Sequence, residues 1–330
     1  MRPTISQFPA TRLRRTRQSP AIRALTRQND LSVDDFIWPV FVRSGEGIEE
    51  PIPSMPGVLR RSVDKVVEAA REAADLGIPA ICIFPYTGIE ERTEDCAGAW
   101  DPENHANRAI RAIKAAVPEI AIMTDVALDT YNINGHDGFV ENGEIVNDRT
   151  VEALVKMTLA QAEAGADIIG PSDMMDGRIA AMRAALEEAG HQNVMILSYS
   201  AKYASAFYGP FRDAVGASGA LVGDKRTYQM DPANSDEALR LIERDLSEGA
   251  DMVMVKPGMP YLDIIRSVKD NFKIPIFSYQ VSGEYSLIKN GIRDGIISQE
   301  AILESLVSLK RGGSNAIVTY FALEVANQLK

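Results

Sequence analysis

Short apolar runs alternate with longer amphipathic stretches along most of the chain. Eight runs are apolar almost without interruption and rich in β-branched residues, as in strands that are buried on both faces of a parallel sheet. These runs cover residues 36–42, 80–84, 120–126, 167–170, 194–198, 252–256, 274–279 and 316–319. Between them, apolar residues recur with the period of a helix, most clearly at 62–76, 147–164, 235–248 and 298–311.

The order of these elements predicts an α/β fold, a single (β/α)₈ TIM barrel over residues 35–330. The alternative is a doubly wound open sheet, but the first strand is not followed by the Gly-x-Gly-x-x-Gly loop typical of that fold. Gly165 and Gly249 each separate a helical stretch from the next strand, and glycine suits the left-handed position after a helix. The pattern therefore predicts one barrel domain.

The first 34 residues are rich in proline and arginine and lack a clear period. Five arginines make this segment basic: Arg12, Arg14, Arg15, Arg17 and Arg23. We predict that residues 1–34 form an extended N-terminal arm, with one short helix at most, that contacts the acidic surface of another subunit. A nucleic-acid-binding tail and a transit peptide are the alternatives for such a segment.

The charge and cysteine content narrow the classes of function. The 330 residues carry a net charge of −11, which opposes general nucleic-acid binding because the phosphates would be repelled. Two cysteines are too few for a disulfide framework and fit a reducing compartment. No apolar run approaches the roughly 20 residues that span a membrane, and no apolar segment follows the N-terminal arginines. We therefore predict a cytoplasmic protein with neither a membrane nor a nucleic acid as a partner.

Two lysines stand at the predicted carboxyl end of the barrel. Lys256 ends the sixth run, and Lys202 lies just past the fifth strand. Burial lowers the pKa of a lysine, and its free amine can then attack a carbonyl group to form an imine. Two such amines in one cavity suggest two carbonyl substrates, each held as an imine. A strand-end lysine that extends to solvent is the structural alternative.

The segment between the two lysines predicts a lid over the cavity. It combines aromatic and glycine residues with Arg212, Lys225 and Arg226. A guanidinium group can bind a carboxylate through two hydrogen bonds, and closure of a loop excludes water from the reaction. The segment therefore favours an anionic substrate, unless it is an ordinary surface loop with solvated charges.

Five long segments resemble, in order, the signature segments of the porphobilinogen synthase (5-aminolevulinate dehydratase) family. They read Gly-Pro-Ser-Asp-Met-Met-Asp-Gly-Arg at 170–178, Ser-Tyr-Ser-Ala-Lys-Tyr-Ala-Ser at 198–205, Phe-Tyr-Gly-Pro-Phe-Arg-Asp at 207–213, Met-Val-Lys-Pro-Gly-Met-Pro-Tyr-Leu-Asp at 254–263 and Tyr-Gln-Val-Ser-Gly-Glu-Tyr at 279–285. The resemblance implies a (β/α)₈ barrel with an arm that embraces a neighbouring subunit. It also implies an octamer, with a hexamer or a dimer as alternatives. The implied activity condenses two 5-aminolevulinate molecules into porphobilinogen, with loss of two waters, on the way to heme or chlorophyll.

The resemblance also implies roles for individual residues. Lys256 would form the imine with the first substrate, and Lys202 with the second. The remaining candidates are substrate-binding or supporting residues: Ser282 and Tyr320 for the first carboxylate, Arg212, Lys225 and Gln229 for the second, Phe211 in the lid, and Asp125 and Ser172 near the amines.

Metal binding is where this sequence departs from many relatives. Those relatives bind zinc through three cysteines after the third strand, whereas this chain has Ala127, Asp129 and Asp137 at those positions, which excludes cysteine-ligated zinc. The two aspartates could hold magnesium or a monovalent ion, or stabilise a protonated amine. Relatives with an allosteric magnesium place a glutamate where this chain has Leu241, and leucine cannot bind an ion. We predict an enzyme that needs no metal cofactor and has lost that allosteric site.

Two other functions compete with this interpretation. A class I aldolase would form its imine with Lys256 alone and would leave Lys202 and the carboxylate-binding residues without a role. A barrel that serves only as a scaffold would have no reason to keep Lys202, Lys256 and Arg212 together.

Overall fold

Eight parallel strands close into a barrel in the computed structural model, which describes residues 6–216 and 221–330. The strands of this part of the chain, in order, are β1 (Phe36–Val42), β2 (Glu49–Pro51), β3 (Leu59–Arg61), β4 (Ala80–Pro85), β5 (Ala121–Val126), β6 (Phe139–Glu141), β7 (Glu144–Val146), β8 (Ile168–Pro171), β9 (Met195–Lys202), β10 (Met252–Lys256), β11 (Ile276–Gln280) and β12 (Ala316–Thr319). The barrel order is β1-β4-β5-β8-β9-β10-β11-β12, and β12 pairs with β1 to close it. The predicted (β/α)₈ barrel is confirmed.

Helices cover the outside of the barrel and connect its strands. In chain order they are α1 (Pro20–Thr26), α2 (Val63–Asp75), α3 (His105–Ala116), α4 (Asn147–Ala164), α5 (Arg178–Glu188), α6 (Gly209–Ala214), α7 (Asp236–Ser247), α8 (Leu262–Asn271), α9 (Ser282–Arg293), α10 (Glu300–Gly312) and α11 (Ala322–Leu329). Gly165 ends α4 with a φ of 105°, the left-handed conformation that glycine adopts without steric cost. All four predicted helical stretches are helices.

The predicted strands are buried as expected of a barrel wall. All seven residues of β1 and all five of β10 are buried. Both strands have the predicted bounds, because each apolar run continues without a polar interruption.

The fifth barrel strand is longer than predicted, which corrects the position of Lys202. The apolar run ends at Ser198, but β9 continues to Lys202, so that lysine is the last residue of the strand rather than a residue just past it. Polar side chains inside the strand are tolerated where they are paired. Ser198 Oγ, for example, donates a hydrogen bond to a buried carboxylate oxygen of Asp245 at 2.7 Å.

The described part of the predicted arm, residues 6–34, has few buried side chains. It contains a 3₁₀ turn at Leu13–Arg17 and helix α1, whose first turn is capped by Ser19 Oγ. Leu13 and Leu25 are 73% and 81% exposed. Residues 1–5 of the predicted arm lie outside the described residues, and its contact with another subunit stays a prediction.

Candidate active site

The two lysines stand side by side at the carboxyl end of the barrel. Strands β9 and β10 are neighbours, and the Cα atoms of Lys202 and Lys256 are partners in their register. Both side chains are buried, with the residues only 6% and 4% exposed. The alternative in which Lys256 extends to solvent is therefore wrong.

Aromatic rings surround the amine of Lys256. Its Nζ atom lies 4.3 Å from the ring centroid of Tyr279, 5.1 Å from those of Tyr199 and Phe211, and 5.6 Å from that of Tyr208. Burial, and then repulsion by the Lys202 ammonium, lower the pKa of Lys256 to about 7. A large fraction of this amine is therefore unprotonated near neutral pH, as a nucleophile requires.

Lys202 has more polar surroundings than Lys256. Its Nζ donates a hydrogen bond to the carbonyl oxygen of Ser172 and lies 3.7 Å from Oδ1 of Asp137. The two lysines thus share one end of the barrel but differ in their partners.

Asp129 and Asp137 hold the ammonium group of Lys225. The distances from Lys225 Nζ are 3.0 Å to Asp129 Oδ2 and 2.9 Å to Asp137 Oδ2. Burial raises the pKa of the Asp137 carboxyl, but the Lys202 and Lys225 ammonium groups outweigh it and bring that pKa to about 2. Burial lowers the pKa of Lys225, and the two carboxylates more than compensate. Lys225 is therefore a charged group within the site.

Asp125, the fifth residue of β5, is a buried carboxyl group in the same cavity as Lys256. Burial and the charge of Asp129 raise the pKa of Asp125 to about 7, although the lysines act in the opposite direction. An acid and an amine with similar pKa values can exchange protons at little cost in free energy. Asp125 is thus suited to proton transfer at this end of the barrel.

One cavity brings together ten of the twelve candidate site residues. Its lining consists of Asp125, Asp129, Asp137, Ser172, Lys202, Tyr208, Phe211, Arg212, Lys225, Gln229 and Lys256. The sequence reasoning missed Tyr208, whose hydroxyl donates to the Lys256 carbonyl at 3.3 Å, although it falls within the segment at 207–213. The cavity volume is about 30 Å³, room for about one water, so two organic substrates require the cover to move.

Ser282 and Tyr320 do not line this cavity but lie directly behind it. Ser282 Oγ accepts a hydrogen bond from the Phe211 N–H at 2.8 Å. The hydroxyl groups of Tyr320 and Tyr279 are 3.0 Å apart.

The predicted lid contains the short helix α6, which carries Phe211 and Arg212 over the cavity. The 3₁₀ turn at Ala206–Tyr208, which precedes α6, packs closely on α9, and a Cβ atom at Gly283 would lie 2.4 Å from the Phe207 carbonyl oxygen. The lid prediction also includes residues 217–220, which lie outside the described residues.

The residues at the expected zinc position do not fit cysteine-ligated zinc. Ala127 offers no ligand atom, and Asp129 and Asp137 are occupied by the Lys225 ammonium. Within residues 6–216 and 221–330, no group of three or more histidine, cysteine, aspartate or glutamate side chains is placed to hold a metal ion. Leu241 lies on α7, half-buried beside Glu237 and Asp176.

The fold and the two buried lysines are typical of a barrel enzyme that forms imines with carbonyl substrates. Comparison with known proteins is more specific, since residues 10–328 match the family model described as delta-aminolevulinic acid dehydratase. A relative of that name from Rhodobacter capsulatus is 58% identical and covers 96% of this chain and 95% of its own length. One from Bradyrhizobium diazoefficiens is 54% identical over 97% of this chain and 91% of its own.

A solved structure supports the same assignment. The crystal structure of delta-aminolevulinic acid dehydratase (porphobilinogen synthase) from Toxoplasma gondii ME49, in complex with the reaction product porphobilinogen, superposes with a TM-score of 0.94. It is 46% identical and covers 96% of this chain and 91% of that chain. The chain belongs to the delta-aminolevulinic acid dehydratase, or porphobilinogen synthase, family, and the predicted resemblance is confirmed.

A membrane-spanning helix needs about 20 predominantly apolar residues. Among the helices of the described ranges, none combines the length and the apolar character needed to cross a bilayer.

Proposed function

We propose that this chain condenses two molecules of 5-aminolevulinate into porphobilinogen and releases two waters. The observation that carries the proposal is the pair of buried lysines, register partners on β9 and β10, in one cavity. Family membership over nearly the whole chain supports the same reaction. A class I aldolase that uses Lys256 alone would leave Lys202 without a role.

The first steps form two imines. The neutral amine of Lys256 attacks the ketone of the first substrate, and Lys202 attacks that of the second, and each imine formation releases one water. An imine acidifies the adjacent carbon, so a proton leaves, and we assign Asp125 as the group that accepts it because its pKa is about 7.

The remaining steps build the ring. A carbon–carbon bond forms between the adjacent carbon of the second substrate and the imine carbon of the first, and elimination then breaks the bond from that carbon to the Lys256 nitrogen. The free amino group of the first substrate attacks the imine carbon at Lys202, and this ring closure displaces the Lys202 amine. Loss of a final proton gives the aromatic pyrrole. Holding both substrates covalently makes proximity the main catalytic contribution, worth up to roughly 7–11 kcal/mol.

The carboxylate groups of the substrates need cationic or hydrogen-bonding partners. We assign Arg212, Lys225 and Gln229 to the second substrate, with Phe211 closing above it. Ser282 and Tyr320 serve the first substrate, and Ser172 orients Lys202 through its carbonyl group. Lys225 already holds two carboxylates, so it changes partners or adds a third when the substrate binds.

We also propose that the reaction needs no metal ion. The support is the Lys225 ammonium between Asp129 and Asp137, a positive charge at the position that zinc ligands hold in many relatives. Magnesium held by the two aspartates is the alternative, and it would have to displace this ammonium group.

The first test combines activity and metal dependence. Protein treated exhaustively with EDTA is incubated with 5-aminolevulinate, and the pyrrole is measured with an aldehyde colour reagent. We expect full activity, unchanged by added magnesium or zinc. Activity that appears only with magnesium would keep the condensation and overturn the metal-free reaction. No pyrrole under any condition would overturn the proposed function.

The pH dependence of imine formation follows from the lowered pKa of Lys256. We expect trapping of 5-aminolevulinate on Lys256 by borohydride to rise with pH through about 7, because only the neutral amine attacks. In Lys202→Met the midpoint moves to higher pH, since the repelling ammonium is gone. In Asp125→Asn it moves to lower pH, since an attracting carboxylate is gone. Mass spectrometry of the trapped peptide measures both shifts, and a midpoint near 10 in the unmodified chain would contradict the assignment.

We further propose that the chain self-associates through its arm. The exposed Leu13 and Leu25 and the basic arginines of residues 6–34 support contact with an acidic surface of a second copy. The family suggests an octamer, with a hexamer or a dimer as alternatives, and sedimentation of the full chain distinguishes them.

A further inference from the structure

Two buried arginines outside the cavity hold the end of the lid helix α6. Arg60, in β3, donates from Nε to the Ala214 carbonyl at 2.7 Å and from Nη2 to the Asp213 carbonyl at 2.5 Å. Arg92 donates from Nη2 to the Val215 carbonyl at 2.9 Å. The last carbonyl groups of a helix lack most of their intrahelical partners, and here guanidinium groups supply them.

Both arginines are fixed to the barrel rather than to the lid. Arg60 Nη1 lies 2.5 Å from Glu50 Oε1, and its guanidinium carbon lies 4.4 Å from the ring centroid of Tyr86. Arg92 donates from Nε to the Thr87 carbonyl at 3.1 Å. Arg60 and Arg92 are only 7% and 5% exposed, and these contacts connect α6 to β2 and to the segment that follows β4.

The position of α6 decides whether the cavity is covered. This helix carries Phe211, whose ring lies 5.1 Å from Lys256 Nζ, and Arg212, which lines the cavity. A helix of six residues is not stable alone in water, so its tertiary contacts determine where it lies. Admission of two substrates to a cavity of about 30 Å³ requires this helix to shift, and the arginine contacts oppose that shift.

We propose that Arg60 and Arg92 are positioning residues that latch α6 in the closed state and thereby place Arg212 to capture the second substrate. They touch neither the substrate nor the lysines, and they act through the backbone of α6. The role of Arg212 in this inference rests on the proposed function, whereas the latch itself concerns only the lid.

The test uses variants that keep the positive charge and lose the forked guanidinium. In Arg60→Lys and Arg92→Lys we expect faster amide hydrogen exchange over residues 209–216 with unchanged exchange in the barrel strands. We also expect KM for 5-aminolevulinate to rise about 10- to 100-fold, as for loss of a hydrogen bond to a charged group, while kcat stays within about threefold. Arg61→Lys is the matched control, because this neighbour in β3 pairs with the exposed Glu49 instead of the lid, and both measurements should stay unchanged.

The outcomes separate the latch from the proposed function. Unchanged exchange over 209–216 in both variants overturns the latch, whether or not the unmodified chain makes porphobilinogen. An unmodified chain that makes no pyrrole but shows the local change in exchange keeps the latch and overturns the function. If amide hydrogens exchange rapidly throughout the barrel of a variant, Glu50→Gln is used as the test instead, because it weakens the contact that holds Arg60 without changing α6 or either arginine. Faster exchange confined to 209–216 supports the latch, and unchanged exchange overturns it.

Discussion

Replacement of Lys256 with methionine is expected to lower the rate of porphobilinogen formation by at least about four orders of magnitude, equivalent to about 5–6 kcal/mol of activation free energy. Methionine fills a similar volume among the same aromatic rings, so the barrel should fold, but it cannot form an imine. The covalent hold on the first substrate is lost, and with it most of the proximity effect. The colour assay under saturating 5-aminolevulinate measures the loss.

Two further variants define what this result means. Lys273→Met removes an exposed lysine and should leave the rate unchanged. Lys202→Met should also abolish the pyrrole, yet it should still allow one 5-aminolevulinate to be trapped on Lys256 by borohydride. Retention of more than about a tenth of the rate in Lys256→Met would contradict its role as the nucleophile, since a tenfold change corresponds to only about 1.4 kcal/mol.

The sequence predicted the barrel and Lys256 well because both depend on local pattern. An apolar run buried on both faces identifies a strand without reference to its neighbours, and the bounds of β10 agree residue for residue. A lysine that ends such a run is conspicuous, but its position left open the alternative in which it extends to solvent, and only the structure shows that it is buried.

The position of Lys202 shows why the fifth strand was predicted less well. Ser198 and Ser200 interrupt the apolar pattern, so the run appeared to end four residues early. Ser198 is tolerated in the barrel wall because Asp245, 47 residues away in the chain, accepts its hydrogen bond. No pattern within the strand itself carries that information.

The contacts of the lid were beyond sequence reasoning for a similar reason. Arg60 and its acceptor Ala214 are separated by 154 residues, and neither belongs to a motif that points to the other. The roles of Ser282 and Tyr320 came only from the family resemblance. In the structure they lie behind Phe211 and Tyr279, a placement that follows from barrel closure rather than from local sequence.

A large effect on stability is expected at Arg178, the first residue of α5. Arg178 is 1% exposed and lies 3.5 Å from Asp173 and 3.7 Å from Asp245, both fully buried. Arg178→Met leaves the buried carboxylate of Asp173 without its cation, whereas Asp245 keeps the guanidinium group of Arg244 at 3.3 Å. Breaking a buried ionic pair in this way costs about 3–5 kcal/mol in the free energy of unfolding. Arg266→Met is the control, because its pair with Asp270 is exposed and should cost about 1 kcal/mol or less.

The loss at Arg178 should depend on pH in a defined direction. Burial raises the pKa of Asp173 to about 6 even though Arg178 opposes the shift. A carboxyl group whose pKa is higher in the folded than in the unfolded state binds more protons when folded, so its contribution to stability falls as pH rises from about 4 to 6. Without Arg178 the pKa of Asp173 in the folded state rises further, so the pH range over which stability falls extends to higher pH. The variant should therefore lose more stability at pH 8 than at pH 5.

Denaturant unfolding at the two pH values measures the effect, and a second change tests its cause. Asp173→Asn, added to Arg178→Met, removes the unpaired charge and should restore part of the lost free energy of unfolding, because uncompensated buried charge, and not lost packing, is the dominant cost. Equal losses at pH 5 and pH 8, with no recovery in the double variant, would assign the effect to packing instead. The hydrogen bonds of Arg178 also connect it to the active site. Arg178 donates to Ser198 Oγ and to the Met175 carbonyl. These hydrogen bonds connect β9, which ends at Lys202, with the loop that follows Ser172, whose carbonyl accepts a hydrogen bond from Lys202. Borohydride trapping of 5-aminolevulinate on Lys202 should therefore decrease in Arg178→Met and increase again in the variant that regains stability.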